Sequence, residues 1–321
     1  MTRITTTVLI VAVLALGIFI AVVFLGNPGE ESCGSAENPC LSSVPTAPHD
    51  AYRWSTSEQG PYGDRVSYAT SSDLVVWKDS GVILADHASV PGAVVHDGTI
   101  YLYFVDVTTD GVPERLGIRT SADDGVTWSA KRFVTIEGVG NRVPVDPAPI
   151  LLDDGRIRLY YVDIAPLRRP LDGVTLTDVY SAVSDDGVTF TQEPGERYNH
   201  IAGFDPDVVK VGDTWRMYVG DPSANTVFSA TSADGLTFTP EASTEFGEAY
   251  VGGSVPDVWY EDGTYTMFVA GIDVAASGDG ITFVKTPYAF HSSLGGVTAD
   301  PSVAQLSDGS YVLFYKNTLM Q

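Results

Sequence analysis

Positively charged residues are scarce in this sequence. Lys and Arg together number 18 against 41 Asp and Glu in 321 residues, so the formal net charge is −23, and only five of the 18 are Lys. Proteins hold DNA and RNA through Lys and Arg contacts to phosphate. The charge balance therefore excludes nucleic acid as a partner.

Long helical apolar patterns are also missing after residue 30. The chain instead has 32 Gly and 19 Pro, and Asp, a turn former, outnumbers the helix former Glu by 29 to 12. Its 16 Tyr, 13 Phe and 5 Trp would be absent from a disordered acidic polymer. Frequent turns together with many aromatic residues predict a folded, mostly β protein.

One uninterrupted apolar run of 18 residues covers Val8 to Leu25, with Arg3 before it and Glu30 after it. This length and charge pattern is typical of a membrane-inserting helix whose N-terminus stays inside. A cleaved signal peptide has a shorter apolar run and small residues at the cleavage site. Residues 1–26 are therefore predicted to be a signal anchor, with a cleaved signal peptide as the alternative, and the rest of the chain is predicted to be exported.

Cysteine is limited to Cys33 and Cys40, which lie in a stretch of Pro, Ser, Gly and Glu at residues 27–51. Such a composition suits a stalk between a membrane anchor and a folded domain. Two thiols are too few for a structural zinc site, and on the exported side of a membrane they predict one small disulfide loop.

From residue 52 to 321 the sequence repeats a short turn of the form S-x-D-G-x-T-F, named the Asp turn. Its five copies contain aspartates at intervals of 51, 62, 48 and 45 residues, the length of a four-stranded propeller blade. These aspartates are Asp73, Asp124, Asp186, Asp234 and Asp279. Because each Asp can accept backbone N–H bonds and each following Trp or Phe can pack between sheets, the Asp turns are interpreted as scaffold.

A proline that opens a short apolar strand repeats at the same interval, and a hairpin and an aromatic strand follow it. The five prolines are Pro91, Pro147, Pro206, Pro256 and Pro301. The first Asp turn has no such strand before it, and the last aromatic strand has no Asp turn after it. We therefore predict an all-β, five-bladed propeller in which N-terminal strands around Val66 to Leu84 complete the blade of C-terminal strands around Val303 to Tyr315.

The residues beside the prolines break the repeat and are the candidate site. The innermost strands of a propeller converge on its axis, so acids beside the prolines should crowd one mouth of the central channel. These acids are Asp146, Asp205, Asp207, Asp257 and Asp300. Neighbouring carboxylates raise one another's pKa, which separates an acid from a base at neutral pH. The alternative is that each Asp-Pro pair only caps the start of a strand.

The runs D-P-A-P-I-L-L-D-D-G-R-I-R-L-Y-Y from Asp146 and D-P-D-V-V-K-V-G-D-T-W-R-M-Y from Asp205, with the five-fold repeat, resemble the five-bladed propeller glycosidases: arabinanases, β-xylosidases and invertase-like fructosidases. The resemblance covers about residues 52 to 317. It implies three axial carboxylates, with Asp146 as base or nucleophile and Asp205 as the orienting carboxylate. The general acid is a Glu in that group, and here the candidates are Asp257 or Glu248. The Asp turns also resemble those of sialidases, but no arginine triad shares a repeat position.

The resemblance implies an extracytoplasmic, glycoside hydrolase-like propeller that acts on carbohydrate, anchored in a membrane or secreted. The alternative is a non-catalytic surface propeller that binds glycan or protein. Asp207, Asp300, Trp259 and Tyr250 are the candidate substrate-binding residues, since carboxylates can accept sugar hydroxyls and aromatic rings can stack on sugar rings. No metal-ligand spacing is found and no cofactor is predicted, while a structural Ca²⁺ in the central channel is left open.

Overall fold

The computed structural model describes residues 63–108, 114–165, 177–199, 203–222, 225–241, 245–246 and 254–318, which form strands in five sheets. The predicted membrane segment at 1–26, the stalk and the Cys33–Cys40 pair lie outside the described residues. Within the described ranges, no helix has the length and hydropathy of a membrane span.

Each sheet is one blade of a five-bladed propeller, and four blades follow one another along the chain. Blade 1 contains β3 (Ala88–His96), β4 (Thr99–Asp106), β5 (Arg115–Ser121) and β6 (Arg132–Phe133). Blade 2 contains β8 (Pro144–Leu151), β9 (Ile157–Asp163), β10 (Asp178–Ser184) and β11 (Thr189–Gln192), with β7 (Thr135–Glu137) paired in parallel to β11. Blade 3 contains β12 (Phe204–Val211), β13 (Thr214–Asp221), β14 (Thr226–Ser232) and β15 (Thr239–Pro240). Blade 4 contains β17 (Asp257–Glu261), β18 (Thr264–Val269), β19 (Asp273–Ser277) and β20 (Thr282–Ala289), with β16 (Glu245–Phe246) parallel to β20.

Blade 5 is built from both ends of the domain. It contains β21 (Val297–Gln305) and β22 (Tyr311–Thr318) followed in space by β1 (Asp64–Ser71) and β2 (Lys78–Asp86). β1 pairs antiparallel with β22 in an unbroken register from Asp64 opposite Thr318 to Ser71 opposite Tyr311. The predicted closure of the ring is confirmed, and it pairs two strand edges that would otherwise be free.

The Asp turns cap the third strand of each blade by hydrogen bonds from the backbone. In blade 2, Oδ1 of Asp186 accepts the N–H groups of Val188 at 2.8 Å and Thr189 at 2.7 Å, while the hydroxyl of Ser184 donates to it at 3.0 Å. The same pattern recurs at Asp73, Asp234 and Asp279. The scaffold interpretation of these turns therefore has a physical basis.

The prediction for the blade 1 turn was wrong by one residue. Asp123, not Asp124, accepts the bonds from Ser121 at 2.8 Å and from the N–H of Thr127 at 2.8 Å. Asp124 instead adopts a left-handed φ of 53° and accepts the hydroxyl of Ser307 from blade 5 at 2.5 Å. The cause is one additional residue in the turn S-A-D-D-G-V-T-W, which moves the capping position away from the aspartate beside the glycine.

Adjacent blades pack through a repeated pair of aromatic rings. An aromatic residue of each second strand meets the Trp or Phe of the next blade's Asp turn edge to face, with ring centroids about 6 Å apart. The pairs are Tyr103–Phe190, Tyr160–Phe238, Tyr218–Phe283, Phe268–Trp77 and Phe314–Trp128. All five blade interfaces are thus built on the same contact, and the first three add a tyrosine hydroxyl bond to a turn carbonyl.

The innermost strands share a local distortion at the proline. The residue before each proline has a left-handed φ between 46° and 57°, although none of the five is glycine. The five are Val90, Asp146, Asp205, Val255 and Asp300. In blades 1, 2, 3 and 5 the pairing to the second strand shifts register at this point, as in a β-bulge. Proline fits there because it has no N–H to contribute to the ladder.

Candidate active site

The five innermost strands enclose a central channel with a volume of about 580 Å³. Each strand lines the channel from the residue before its proline onward. Six of the predicted site residues line it together, namely Asp146, Asp205, Asp207, Asp257, Asp300 and Trp259. The other two, Glu248 and Tyr250, lie outside the described residues. All five acids beside the prolines therefore line the central channel, and their role in a site stays a prediction.

The acids that follow a proline join one blade to the next. Oδ2 of Asp207 accepts the N–H of Val258 in blade 4 at 2.8 Å, and Oδ2 of Asp257 accepts the N–H of Val303 in blade 5 at 3.1 Å. At the same position in blade 5, the hydroxyl oxygen of Ser302 accepts the N–H of blade 1 residue Ala93 at 2.9 Å. Asp207 and Asp257 thus have a structural use that a serine also performs.

Blade 1 has a glycine at this position because the backbone of blade 2 comes too close for a side chain. A Cβ built on Gly92 would lie 1.8 Å from the carbonyl oxygen of Pro147. This distance is far inside van der Waals contact. At this position the contact between blades 1 and 2 is therefore a close backbone approach rather than a side-chain hydrogen bond.

The acids that precede a proline form a separate group near the start of the innermost strands, named the channel mouth (Asp146, Asp205 and Asp300). Asp146 is 7% exposed, and its Oδ2 accepts the backbone N–H of Asp205 at 3.2 Å. Asp205 is half-buried, and no described residue donates a hydrogen bond to its carboxylate. Two neighbouring carboxyl groups therefore have unequal surroundings.

Burial is the main cause of the raised pKa values at this mouth. It raises the pKa of Asp146 to about 7, against the favourable hydrogen bond from the N–H of Asp205. The pKa of Asp205 lies well above the ordinary value, because burial is reinforced by the negative charges of Asp146 and Asp300. The pair therefore resists losing both of its protons, because each neighbouring carboxylate charge disfavours the ionisation of the other group.

Asp207 and Asp257 form a second pair, and each follows its proline where the acids of the channel mouth precede theirs. Burial raises the pKa of Asp207 to about 6, opposed by the N–H groups of Val258 and Val208. Burial and then the charge of Asp207 raise the pKa of Asp257 well above its ordinary value. In the described part of the chain, no group of three or more His, Cys, Asp or Glu side chains is arranged to hold a metal ion.

Two residues of the site were missed in the sequence. Nζ of Lys316 lies 2.7 Å from Oδ2 of Asp300, with side chains 20% and 5% exposed. Asp64 is buried nearby and accepts the hydroxyls of Ser89 at 2.9 Å and of Thr318. A comparison of the ends of the second strands would have found the lysine, since they read F-V-D, Y-V-D, V-G-D, V-A-G and Y-K-N.

Charge explains why Lys316 remains an ammonium although it is buried. Burial disfavours its charge, but the carboxylates of Asp300, Asp64 and Asp205 outweigh this effect and raise its pKa. The pKa of Asp64 is raised by burial, and the positive charge of Lys316 partly offsets this increase. Lys316 is therefore ion-paired with Asp300, and its charge also acts on the carboxyl groups of Asp64 and Asp205.

Trp259 lines the channel three residues after Pro256 and packs edge to face on Tyr311, with ring centroids 5.8 Å apart. Its indole Nε1 is buried and has no hydrogen-bond partner among the described residues. A large aromatic side chain is therefore part of the channel wall.

Solved structures of glycoside hydrolases have the same architecture. A GH43_1 enzyme from Xanthomonas citri aligns with a TM-score of 0.57 and 16% identity over 71% of this chain and 82% of that one, and it has also been solved with xylotriose. A GH32 β-fructofuranosidase from Bombyx mori, in complex with sucrose, aligns with a TM-score of 0.58 and 17% identity over 81% of this chain and 59% of that one. No protein-family model matches the sequence, and the search of curated proteins found no similar sequence. These likenesses confirm the fold that the sequence resemblance implied: the chain is a five-bladed β-propeller of the kind found in GH43 and GH32 glycoside hydrolases.

Proposed function

We propose that this chain is a glycoside hydrolase-like propeller that acts on glycan at the channel mouth, in a domain held outside the cytoplasm by its N-terminal segment. The observation that supports the proposal most is the pair formed by Asp146 and Asp205. The N–H of Asp205 donates to Asp146 at 3.2 Å, while the carboxylate of Asp205 has no donor among the described residues. Such unequal surroundings separate an acid from a base.

The proton donor in this proposal is Asp205, and Asp146 is the base or nucleophile. Asp205 transfers its proton to the leaving glycosidic oxygen as the bond to the anomeric carbon breaks. Asp146 either attacks that carbon or removes a proton from the attacking water. The resemblance assigned Asp205 an orienting role, but its raised pKa suits a donor better.

The other two candidate proton donors are Asp257 and Glu248. The carboxylate of Asp257 already accepts the N–H of Val303 in blade 5. Glu248 lies outside the described residues and stays an alternative donor. Substrate binding is assigned to Asp207, Asp300, Trp259 and Tyr250, with the Trp259 ring as a stacking surface for a sugar.

A non-catalytic propeller that binds glycan or protein is the second candidate. It is favoured by the structural use of Asp207 and Asp257, whose hydrogen bonds to the next blade explain their presence without chemistry. It is favoured also by the absence of a glutamate beside Pro256, where the resembled group has its general acid.

A hydrolysis screen separates the two candidates. The full chain in detergent is incubated with aryl pentosides, hexosides and fructosides and with arabinan, xylan and fructan oligosaccharides. Asp146→Asn and Asp205→Asn should each lower the rate by ~10²–10⁴-fold, while Asp308→Asn, in an exposed hairpin outside the channel, should leave it unchanged. Rates that are unaffected in both mouth variants contradict the proposal. A folded chain that cleaves nothing but is retained on a glycan array supports the binding propeller.

A further inference from the structure

Lys316 occupies a position where the other blades have no charged side chain. In blades 1, 2, 3 and 5 this position lies opposite the second residue before the proline. Its occupants are Val105, Val162, Gly220 and Lys316. In blade 4 the N–H of Ala270 bonds to the carbonyl of Ser254 at the same place, at 2.9 Å. A lysine that breaks a structural repeat has no explanation in the scaffold, because small apolar residues suffice there.

The lysine acts on the channel from behind its wall. Lys316 is not one of the residues that line the cavity, whereas its partner Asp300 is. Nζ of Lys316 lies 2.7 Å from Oδ2 of Asp300 on β21. Its charge also interacts with the carboxyl groups of Asp64 on β1 and Asp205 on β12. Asp146 from β8 also feels its charge. One cation on β22 therefore influences all the acids of the channel mouth.

The charge of Lys316 affects how readily the neighbouring carboxyl groups ionise. Carboxyl groups buried beside one another resist ionisation, since each added negative charge makes the next one less favourable. The negative charge of Asp300 raises the pKa of both Asp146 and Asp205, and the positive charge of Lys316 lowers both. An opposite charge within about 4–6 Å typically changes a carboxyl pKa by roughly one to three units.

We propose that Lys316 is a positioning residue of the channel mouth: paired with Asp300, it holds Asp146 and Asp205 in the state with one shared proton. One aspartate can then accept a proton while its neighbour donates one. This arrangement supplies both halves of acid–base chemistry where the resembled enzymes use a glutamate. The use of this protonation state in catalysis rests on the proposed glycoside hydrolysis. The protonation state itself does not depend on that proposal.

The test measures the titration of the two aspartates directly. The full chain in detergent is labelled with ¹³C at the aspartate carboxyl carbons, and the signals of Asp146 and Asp205 are assigned from their Asn variants. Lys316→Gln should raise the lower apparent pKa of the pair by roughly one to three units. Asp300→Asn should change it in the opposite direction, and Lys316→Arg should restore the wild-type curve. Opposite shifts from the two partners are not expected of a merely structural ion pair.

Lys285→Gln is the matched control, because Lys285 forms an ion pair with Asp273 at 2.6 Å outside the channel. It should leave the titration unchanged. Unshifted curves in a folded Lys316→Gln variant overturn the proposal. If Lys316→Gln does not fold, Asp300→Asn decides, and a titration that does not move downward in that variant overturns it.

Hydrolysis gives a separate readout. Where the wild-type chain cleaves a glycan, the basic and acidic limbs of its pH profile should move with the titration in each variant. Absence of any cleavage contradicts the proposed function alone, since the ¹³C titration still shows whether Lys316 sets the protonation of the pair.

Discussion

The backbone N–H of Asp205 donates a hydrogen bond to Oδ2 of Asp146 at 3.2 Å, and this contact joins blade 3 to blade 2 at the channel mouth. The same carboxylate is therefore a candidate catalytic group and a joint between blades. Because Asp146 is buried, its protonation affects the free energy of unfolding as well as any chemistry.

The stability of the propeller should decrease as pH rises from about 4 to about 7. The pKa of Asp146 is about 7 and that of Asp207 about 6 in the folded state, against 3.8 for an ordinary Asp. The folded chain therefore holds more protons than the unfolded chain in this window, and its stability is complete only below about pH 4. Each such proton contributes a slope of about 1.4 kcal/mol per pH unit.

Denaturant titrations followed by tryptophan fluorescence at several pH values measure this slope. Asp146→Asn should flatten it, because the amide does not titrate. Asp308→Asn is the control. Hydrogen bonds from Ser310 lower the pKa of that exposed carboxyl, so its protonation changes stability only at pH values below about 4 and not in the window measured. A stability that is constant or increases from pH 4 to 7 would contradict the prediction.

Gly92→Ala should destabilise the interface between blades 1 and 2. The added Cβ would lie 1.8 Å from the carbonyl oxygen of Pro147, so the two innermost strands must separate. Overpacking of this kind costs about 1–3 kcal/mol or more. Thermal unfolding monitored by circular dichroism measures the change.

Gly278→Ala is the matched control for this substitution. No atom lies within 4 Å of a Cβ built on Gly278, and Ala233 occupies the same place in the Asp turn of blade 3. It should melt like the wild type. Equal melting temperatures for both alanine variants would show that the close approach of Gly92 to blade 2 is not required.

Asp186→Ala should reduce stability without changing the channel. The carboxylate accepts two backbone N–H groups and one hydroxyl in the Asp turn of blade 2. Their loss should cost about 1–2 kcal/mol in the free energy of unfolding. Asp185→Ala, one residue earlier on the exposed side of the same turn, should cost much less. The scaffold interpretation fails if Asp186→Ala alters glycan cleavage or retention while the unfolding curve stays the same.

The full chain should fractionate with membranes and keep its N-terminus. The 18-residue apolar run from Val8 to Leu25 is long enough to span a bilayer, and no small-residue cleavage site follows it. Sedimentation of membranes from cells that express the chain with or without residues 1–26 measures membrane association. N-terminal sequencing of the mature protein shows whether the N-terminus is kept. A mature chain that begins near Glu30 would mean that the segment is a cleaved signal peptide.

The number of blades and the closure of the ring were predictable from the sequence because both follow from local patterns. Turn chemistry and the two-residue alternation of strands act over a few residues and repeat in each blade. The unmatched halves at the two ends then require that β1 pairs with β22. The same reasoning failed at Asp124, where one additional residue changed the position that caps the turn.

The meeting of the five acids at the axis was also predictable, because equivalent positions of a propeller converge. Their individual surroundings were not. The sequence does not show that Asp257 accepts an N–H from the next blade while Asp205 has no donor among the described residues, because those partners come from other blades. The lysine of β22 could have been found as the one charged exception at the ends of the second strands, but its ion pair with Asp300 is a contact between strands that only the structure shows.

The fold and the set of carboxylates along the channel follow from sequence patterns, since short-range periodicity and turn residues specify the blade and its repetition specifies the propeller. The three-dimensional arrangement was needed to show which carboxylate joins two blades, which one is paired with Lys316 and which ones have a raised pKa. Those properties depend on burial and on charges brought together from β1, β8, β12, β21 and β22, and a pKa responds to distances in space rather than to separation along the chain.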